Sequence, residues 1–198
     1  MTKVLPAYTL GFIGTGAITS AVVAGLRRDG GQTPPIILSP RGEAASLRLA
    51  ADFPAVTRAH ASQDVIDRCD MVCLAIRPQQ LDAALAGLRF RADQTVVSFV
   101  AAVTVAGIAR LVAPAKAVAR VIPLASVAHR SGPIAIYPRL PAVAAVFAPL
   151  GDLVEARSEA EIMAMGAASG IISSHFAFQG RIIAWLQGQG IEPAAASL

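Results

Sequence analysis

Two glycines one residue apart, Gly14 and Gly16, have the spacing that points most directly to chemistry in this chain. A short apolar run, Thr9 to Ile13, precedes them and reads as a buried strand. Ala17 to Arg28 follows, with the apolar spacing and small residues of a helix packed on a sheet. Strand, glycine turn and helix, in that order, form the setting in which a glycine pair holds a dinucleotide. Gly14 permits the tight turn. Gly16 has no side chain, so a pyrophosphate can approach the backbone. The free N–H groups and the dipole of the following helix favour the negative charge. The third small position of the pattern falls at Thr19, where Gly or Ala is usual.

The residues after the second strand, Ile36-Ile37-Leu38, bear on which dinucleotide. An acidic residue about 20 positions past the glycines would bind a ribose 2′-hydroxyl and select NAD. This chain has Ser39-Pro40-Arg41 there. A hydroxyl and a guanidinium suit a 2′-phosphate, to which Arg makes bidentate charge-assisted bonds, so NADP(H) is the expected cofactor. Glu43 reads as a first-turn residue of the next helix. A further apolar strand, Met71 to Ile76, ends in Arg77-Pro78. Carboxyl ends of strands face the ligand in a doubly wound sheet, which puts Ala75 to Pro78 beside the cofactor with Arg77 as an anion contact. Thr95 to Val100 is another strand, and the small Ala101-Ala102 after it allows close approach of a nicotinamide ribose.

The elements that must position these residues alternate along the chain. Asp29-Gly30-Gly31 stops the first helix with glycine in the capping position. Helices are expected over Gly42 to Phe53, from a Ser62 cap, over Gln80 to Gly87, from Val105 to Val112 and over Ala142 to Phe147. Strands are expected at Ala55 to Thr57, Ala117 to Ile122, Ile134 to Tyr137 and Leu153 to Ala156. This predicts an α/β fold, a Rossmann-type doubly wound and mostly parallel sheet over residues 1–156. Ser158-Glu159-Ala160-Glu161 is a capping box, after which the alternation stops. Glu161 to Ala168 and Ile172 to Gly188 read as helices around Ser169-Gly170. Their apolar faces, with Phe176, Ile183 and Trp185, need a partner. Residues 157–198 are therefore expected to begin a helical dimerisation domain, cut short or completed by a second subunit.

Composition narrows the classes. The 198 residues suit one domain plus an extension, and 55% are hydrophobic. The mean hydropathy of +0.58 is high for a soluble chain, as a sheet covered on both faces requires. The net charge of +4 is scattered rather than clustered, which argues against nucleic acid and suits an anionic cofactor. Val4 to Leu26 carries no charge and is long enough to span a bilayer, but Pro6, the glycines and the hydroxyl residues interrupt it. No membrane role is expected. Cys69 and Cys73 match no metal or redox spacing and read as reduced core thiols of a cytoplasmic protein. Three dispersed histidines make no metal cluster.

With these landmarks in place the chain resembles pyrroline-5-carboxylate reductase, the NADPH-dependent last enzyme of proline synthesis. Phe12-Ile13-Gly14-Thr15-Gly16 with Ala24-Gly25-Leu26 resembles its opening fingerprint. Leu74-Ala75-Ile76-Arg77-Pro78 resembles its strand ending in Val-Lys-Pro. Val97-Ser98 with Ala101-Ala102, Arg120-Val121-Ile122-Pro123 and Ala168-Ser169-Gly170 follow in the family's order. The resemblance implies that Gly14, Gly16, Ala17 and Ile18 bind pyrophosphate and that Ser39 and Arg41 take the 2′-phosphate. It implies that Ala75, Arg77 and Ala101 border the nicotinamide side. The implied reaction is hydride transfer from NADPH to the carbon of a cyclic imine, in a homodimer joined through the C-terminal helices. Leu124 stands where the family has Asn, and Ile171-Ile172-Ser173-Ser174 follows Gly170 in place of Gly-Ser-Gly-Pro-Ala. The family's glycine after the paired alanines is Val103 or absent. These departures keep two other readings open, a non-catalytic NADP-binding protein of the same fold and a related NADP-dependent reductase with another substrate. No catalytic residue is assigned. His129 and His175 are candidates for a proton donor, though each reads more simply as a structural histidine.

Overall fold

The computed structural model describes residues 8–28 and 34–197. In chain order the strands are β1 (Leu10–Ile13), β2 (Ile36–Leu38), β3 (Val56–Arg58), β4 (Met71–Leu74), β5 (Thr95–Ser98), β6 (Ala117–Ile122), β7 (Pro133–Tyr137) and β8 (Asp152–Glu155). The helices are α1 (Ala17–Arg27), α2 (Glu43–Asp52), α3 (Ser62–Arg68), α4 (Leu81–Leu85), α5 (Val105–Leu111), α6 (Pro141–Phe147), α7 (Glu159–Ser169), α8 (Ile171–Gly188) and α9 (Pro193–Ala196). The strands of the described residues make one sheet in the order β3-β2-β1-β4-β5-β6-β7-β8. Its neighbours are parallel except β6 and β7, which run antiparallel. The strand order reverses between β1 and β4, and a doubly wound sheet opens its ligand crevice at that point. The fold class is the Rossmann-type α/β sheet expected from the alternation.

The strands are apolar because both faces are covered. Leu10 and Phe12 of β1 and Met71 and Cys73 of β4 join one core with α1, α2 and α6. Ile13, Val72 and Leu74 join the other core with α3, α4 and α5. Gly11 lets α3 sit close on β1, since a Cβ there would lie 2.6 Å from Val65 and 2.7 Å from the Cys69 sulfur. Cys69 and Cys73 are free and buried. Burial pushes the Cys69 thiol up to about 12 and the Cys73 thiol up as well, which removes the thiolate needed for reaction.

Several boundaries differ from the sequence reading. The α3 cap is Ala61, not Ser62, and the Asp64 carboxylate accepts the backbone N–H groups of Ala61 at 2.9 Å and His60 at 3.1 Å. The fifth strand ends two residues early because Ser98 Oγ accepts the N–H of Val100 at 3.2 Å. A 3-10 turn over Ala125–His129 went unread; it packs against α1. Ser158 does cap α7, its Oγ accepting the Glu161 N–H at 3.2 Å, but the Glu161 carboxylate turns to Arg157 rather than closing the box. The expected Asp29-Gly30-Gly31 stop lies outside the described residues.

Gln94 ties the start of β5 to the end of α3. It is fully buried, its Nε2 donates to the carbonyls of Ile66 and Cys69, both at 2.7 Å, and its Oε1 accepts the Arg91 N–H at 2.8 Å. Arg91 also donates to both carbonyls, at 2.7 and 3.2 Å, so Gln94→Leu, which keeps the volume, leaves only the Arg91 N–H without its acceptor and should lower the unfolding free energy by about 1–2 kcal/mol. Denaturant unfolding measures this, and an unchanged unfolding free energy would show that water takes the place of the amide oxygen.

The chain divides into two compact units after Ile162, within α7. The second unit holds the rest of α7 with α8 and α9. Gly170, between α7 and α8, has right-handed helical angles (φ −62°, ψ −26°), so it interrupts the helices by one residue without turning the chain. No residue of α8 is buried, and Phe176, Phe178 and Trp185 are 64%, 63% and 63% exposed. No described helix is long and apolar enough to cross a membrane.

Candidate active site at the carboxyl edge of the sheet

Beyond the carboxyl ends of β1, β2, β4 and β5 the surface forms two adjoining clefts, of about 330 and 380 Å³. Gly16, Ala75, Ile76 and Arg77 line both. Gly14 and Arg41 line the first cleft, and Ala17, Ile18 and Ala101 the second. Eight of the nine residues singled out from sequence therefore meet along one groove. Residues that sequence reading did not select also line it, among them Gly42, Ser62 and Gln80 in the first cleft and Phe99 in the second. Gly42 carried a usable signal, a glycine opening a helix directly after Pro40-Arg41. Ser62, Gln80 and Phe99 carried none, since each comes to the groove through the sheet order.

The glycine turn is held from three sides. Gly14 has φ +95°, and a Cβ there would lie 2.4 Å from the Ala75 carbonyl oxygen. Thr19 occupies the third small position because its Oγ1 donates to the Gly14 carbonyl at 2.7 Å while fully buried. Thr15 Oγ1 donates to the Ser39 carbonyl at 3.2 Å. Gly42, with φ +82°, lets the second strand-to-helix turn close on this one, its Cβ direction meeting the Thr15 carbonyl at 2.3 Å.

Ser39 needs a correction. It is fully buried, and its Oγ accepts the Gly14 N–H at 2.9 Å. A hydroxyl used in this way holds the glycine turn and does not reach a 2′-phosphate in the cleft. Arg41 does line the cleft and is exposed. Glu43 is taken by Arg58 in an ion pair of 3.2 Å, on the helix where sequence placed it, so it does not compete for a ribose. The guanidinium groups of Arg41 and Arg77 have no hydrogen bond or ion pair among the described residues.

A dinucleotide fits what these residues offer. Gly16 caps α1 with extended backbone and no side-chain hydrogen bond, and the first turn of α1 has no acidic residue. A Cβ built on Gly16 meets nothing within 4 Å, so the space above the helix start is open. An uncapped helix N-terminus, open space and two unengaged cations suit a pyrophosphate. The second cleft is mostly apolar, and Arg77 is the one titratable residue among its described lining residues. His129 is not among the lining residues; its Nδ1 lies 3.1 Å from an Arg28 guanidinium nitrogen. His175 is on α8 beside Phe176, with ring centroids 5.9 Å apart. Ala102, the second of the paired alanines, has φ +59°, so the glycine-like backbone position is Ala102 and not Val103.

Fold and site define the class, a nucleotide-binding oxidoreductase fold of Rossmann type. Residues 9–102 match the family model described as NADP oxidoreductase, coenzyme F420-dependent. The chain is 26% identical over 176 residues to the pyrroline-5-carboxylate reductase of Pseudomonas aeruginosa, covering 84% of this chain and 64% of that one. It thus spans less than two thirds of that relative's length. The crystal structure of the reductase from Streptococcus pyogenes superimposes with a TM-score of 0.76 at 24% identity, over 96% of this chain and 74% of that one. That of the Plasmodium falciparum enzyme, solved with NADP bound, gives 0.75 at 13% identity, over 96% and 73%. Reductive aminases and imine reductases share the fold. The likeness to pyrroline-5-carboxylate reductase carried by the motifs is present in both sequence and fold, and an NADP(H) cofactor agrees with it.

Proposed function

We propose that the chain is an NADPH-dependent oxidoreductase that reduces the C=N bond of a cyclic imine, pyrroline-5-carboxylate to proline by its likeness to that family. The observation that carries the reading is the open space at Gly16 over the start of α1, with Arg41 and Arg77 on the same groove. Gly14, Gly16, Ala17 and Ile18 hold the pyrophosphate, Arg41 holds the 2′-phosphate, and Ala75, Arg77 and Ala101 border the nicotinamide. NADPH supplies the hydride when bound. Ile18 and Phe99 make the second cleft apolar and so exclude water from the transfer. Among its described lining residues this cleft offers no general acid, Arg77 being the one that titrates, so the proton on the imine nitrogen comes from solvent or with the substrate. An iminium carbon is already electrophilic and needs no acid from the groove. Residues 1–156 form the nucleotide domain, and residues 157–198 join two copies into a cytoplasmic homodimer that covers Phe176, Phe178 and Trp185. Leu124 and Ile171-Ile172 favour a second reading, the same cofactor with another substrate or with none.

Parallel fluorescence titrations with NADPH and NADH test the cofactor. Arg41→Ala should weaken NADPH by about 10- to 100-fold, the loss of one charge-assisted contact, and leave NADH unchanged. If wild type binds neither nucleotide, the proposal fails. NADPH oxidation across a panel of cyclic imines, linear imines and ketones then separates the substrate readings, and binding without turnover selects the non-catalytic one.

A further inference from the structure

The loop from Phe99 to Thr104 joins β5 to α5 and supplies Phe99 and Ala101 to the second cleft. Its middle is strained, with Ala102 at φ +59°. An alanine stays in that region only where its surroundings hold the loop. At the near end Ser98 Oγ accepts the Val100 N–H at 3.2 Å. At the far end Thr104 Oγ1 caps α5 by accepting the Gly107 N–H at 3.0 Å. A third hold comes from much later in the chain: Glu159 Oε2, at the first residue of α7, accepts the Val105 N–H at 3.0 Å.

That carboxylate is partly withdrawn from water, and its Oε1 is also shielded. An anion so placed needs a cation near it. Arg120 of β6 is the buried cation whose charge acts on it, while Glu159 Oε1 accepts no hydrogen bond among the described residues. Arg120 is 3% exposed, sits in register beside Ser98, and its guanidinium feels the Glu159 charge, which works against the lowering that burial causes. The cleft wall and the acid at the start of α7 are therefore joined through the Val105 hydrogen bond.

We propose that Glu159 is a positioning residue for the nicotinamide-side wall, fixing the Phe99–Thr104 loop through the Val105 N–H. Glu159 does not line either cleft; it acts through Phe99 and Ala101. The proposal rests on the functional reading above, which assigns the second cleft to nicotinamide.

Two ligands tell a local effect from a general one. NADPH spans both clefts, whereas adenosine 2′,5′-bisphosphate carries the adenosine and its phosphates without nicotinamide. Glu159→Ala should weaken NADPH about tenfold and leave the bisphosphate within twofold. Glu159→Gln keeps an acceptor for the Val105 N–H and should restore most of the loss, to about threefold; it also serves as the test should the alanine variant fail to fold. Unchanged NADPH affinity in both variants, or equal weakening of both ligands, overturns the proposal. If the wild-type protein binds neither ligand, the functional reading is what has failed.

Discussion

Gly14→Ala should cost about 3–5 kcal/mol of stability, the sum of left-handed strain and overpacking, and nucleotide binding should be lost with it. Two features of this one position add. The backbone has φ +95°, where an L side chain is strained, and the Cβ would lie 2.4 Å from the Ala75 carbonyl oxygen. Neither partner can give way cheaply. The Gly14 N–H is bound by Ser39 Oγ and its carbonyl by Thr19 Oγ1, while the Ala75 N–H bonds to the Ile13 carbonyl at 2.9 Å. Moving either strand end breaks a buried hydrogen bond. Denaturant unfolding of the variant measures the cost, and a loss below about 1 kcal/mol would mean that the turn relaxes in a way these contacts do not suggest.

What the sequence made legible is what is encoded locally. A strand, a glycine turn and a helix follow one another within residues 9–28, so their identity and role could be read from spacing alone. Arg41 and Arg77 were legible for a similar reason: each lies directly after an apolar strand, and strand ends in this fold face the ligand. Ser39 shows the limit. Its position after β2 suggested a phosphate contact, yet whether a hydroxyl faces a cleft or a neighbouring turn depends on how close two strand ends come, and Gly42 and Gly14 set that distance. Thr19 is the converse case, a departure from the glycine pattern that the structure explains by its bond to the Gly14 carbonyl.

Strand direction was also illegible. Ile134 to Tyr137 is an apolar run like the others, and nothing in it distinguishes the antiparallel β7 from a parallel strand. The sense is set by the short link through the 3-10 turn at Ala125–His129, which Arg130 anchors by donating to the Gly25 carbonyl at 2.9 Å. Glu159 and Arg120 belong to the same category. One was read as part of a capping box and the other as part of a family motif, and only the tertiary fold brings their charges together.

Gly16→Ala should do the opposite of Gly14→Ala: it should cost less than about 1 kcal/mol of stability and weaken NADPH by at least tenfold. Gly16 has φ −106° and ψ −165°, extended backbone that any residue adopts. Its Cβ direction meets no protein atom within 4 Å. The folded protein therefore has no reason of its own to require glycine here, beyond the modest preference of a helix cap for glycine over alanine. The direction is empty on the groove side, at the head of α1, where a pyrophosphate would take the free N–H groups. A methyl placed there would hold the phosphates off those donors and lengthen every bond to them. Thermal unfolding and NADPH titration on the same sample give both quantities. A variant as stable as wild type that no longer binds would locate the pyrophosphate at Gly16 more directly than any cation substitution, because no charge has changed. A variant that binds NADPH as well as wild type would move the phosphates away from α1 and with them the whole assignment of the groove.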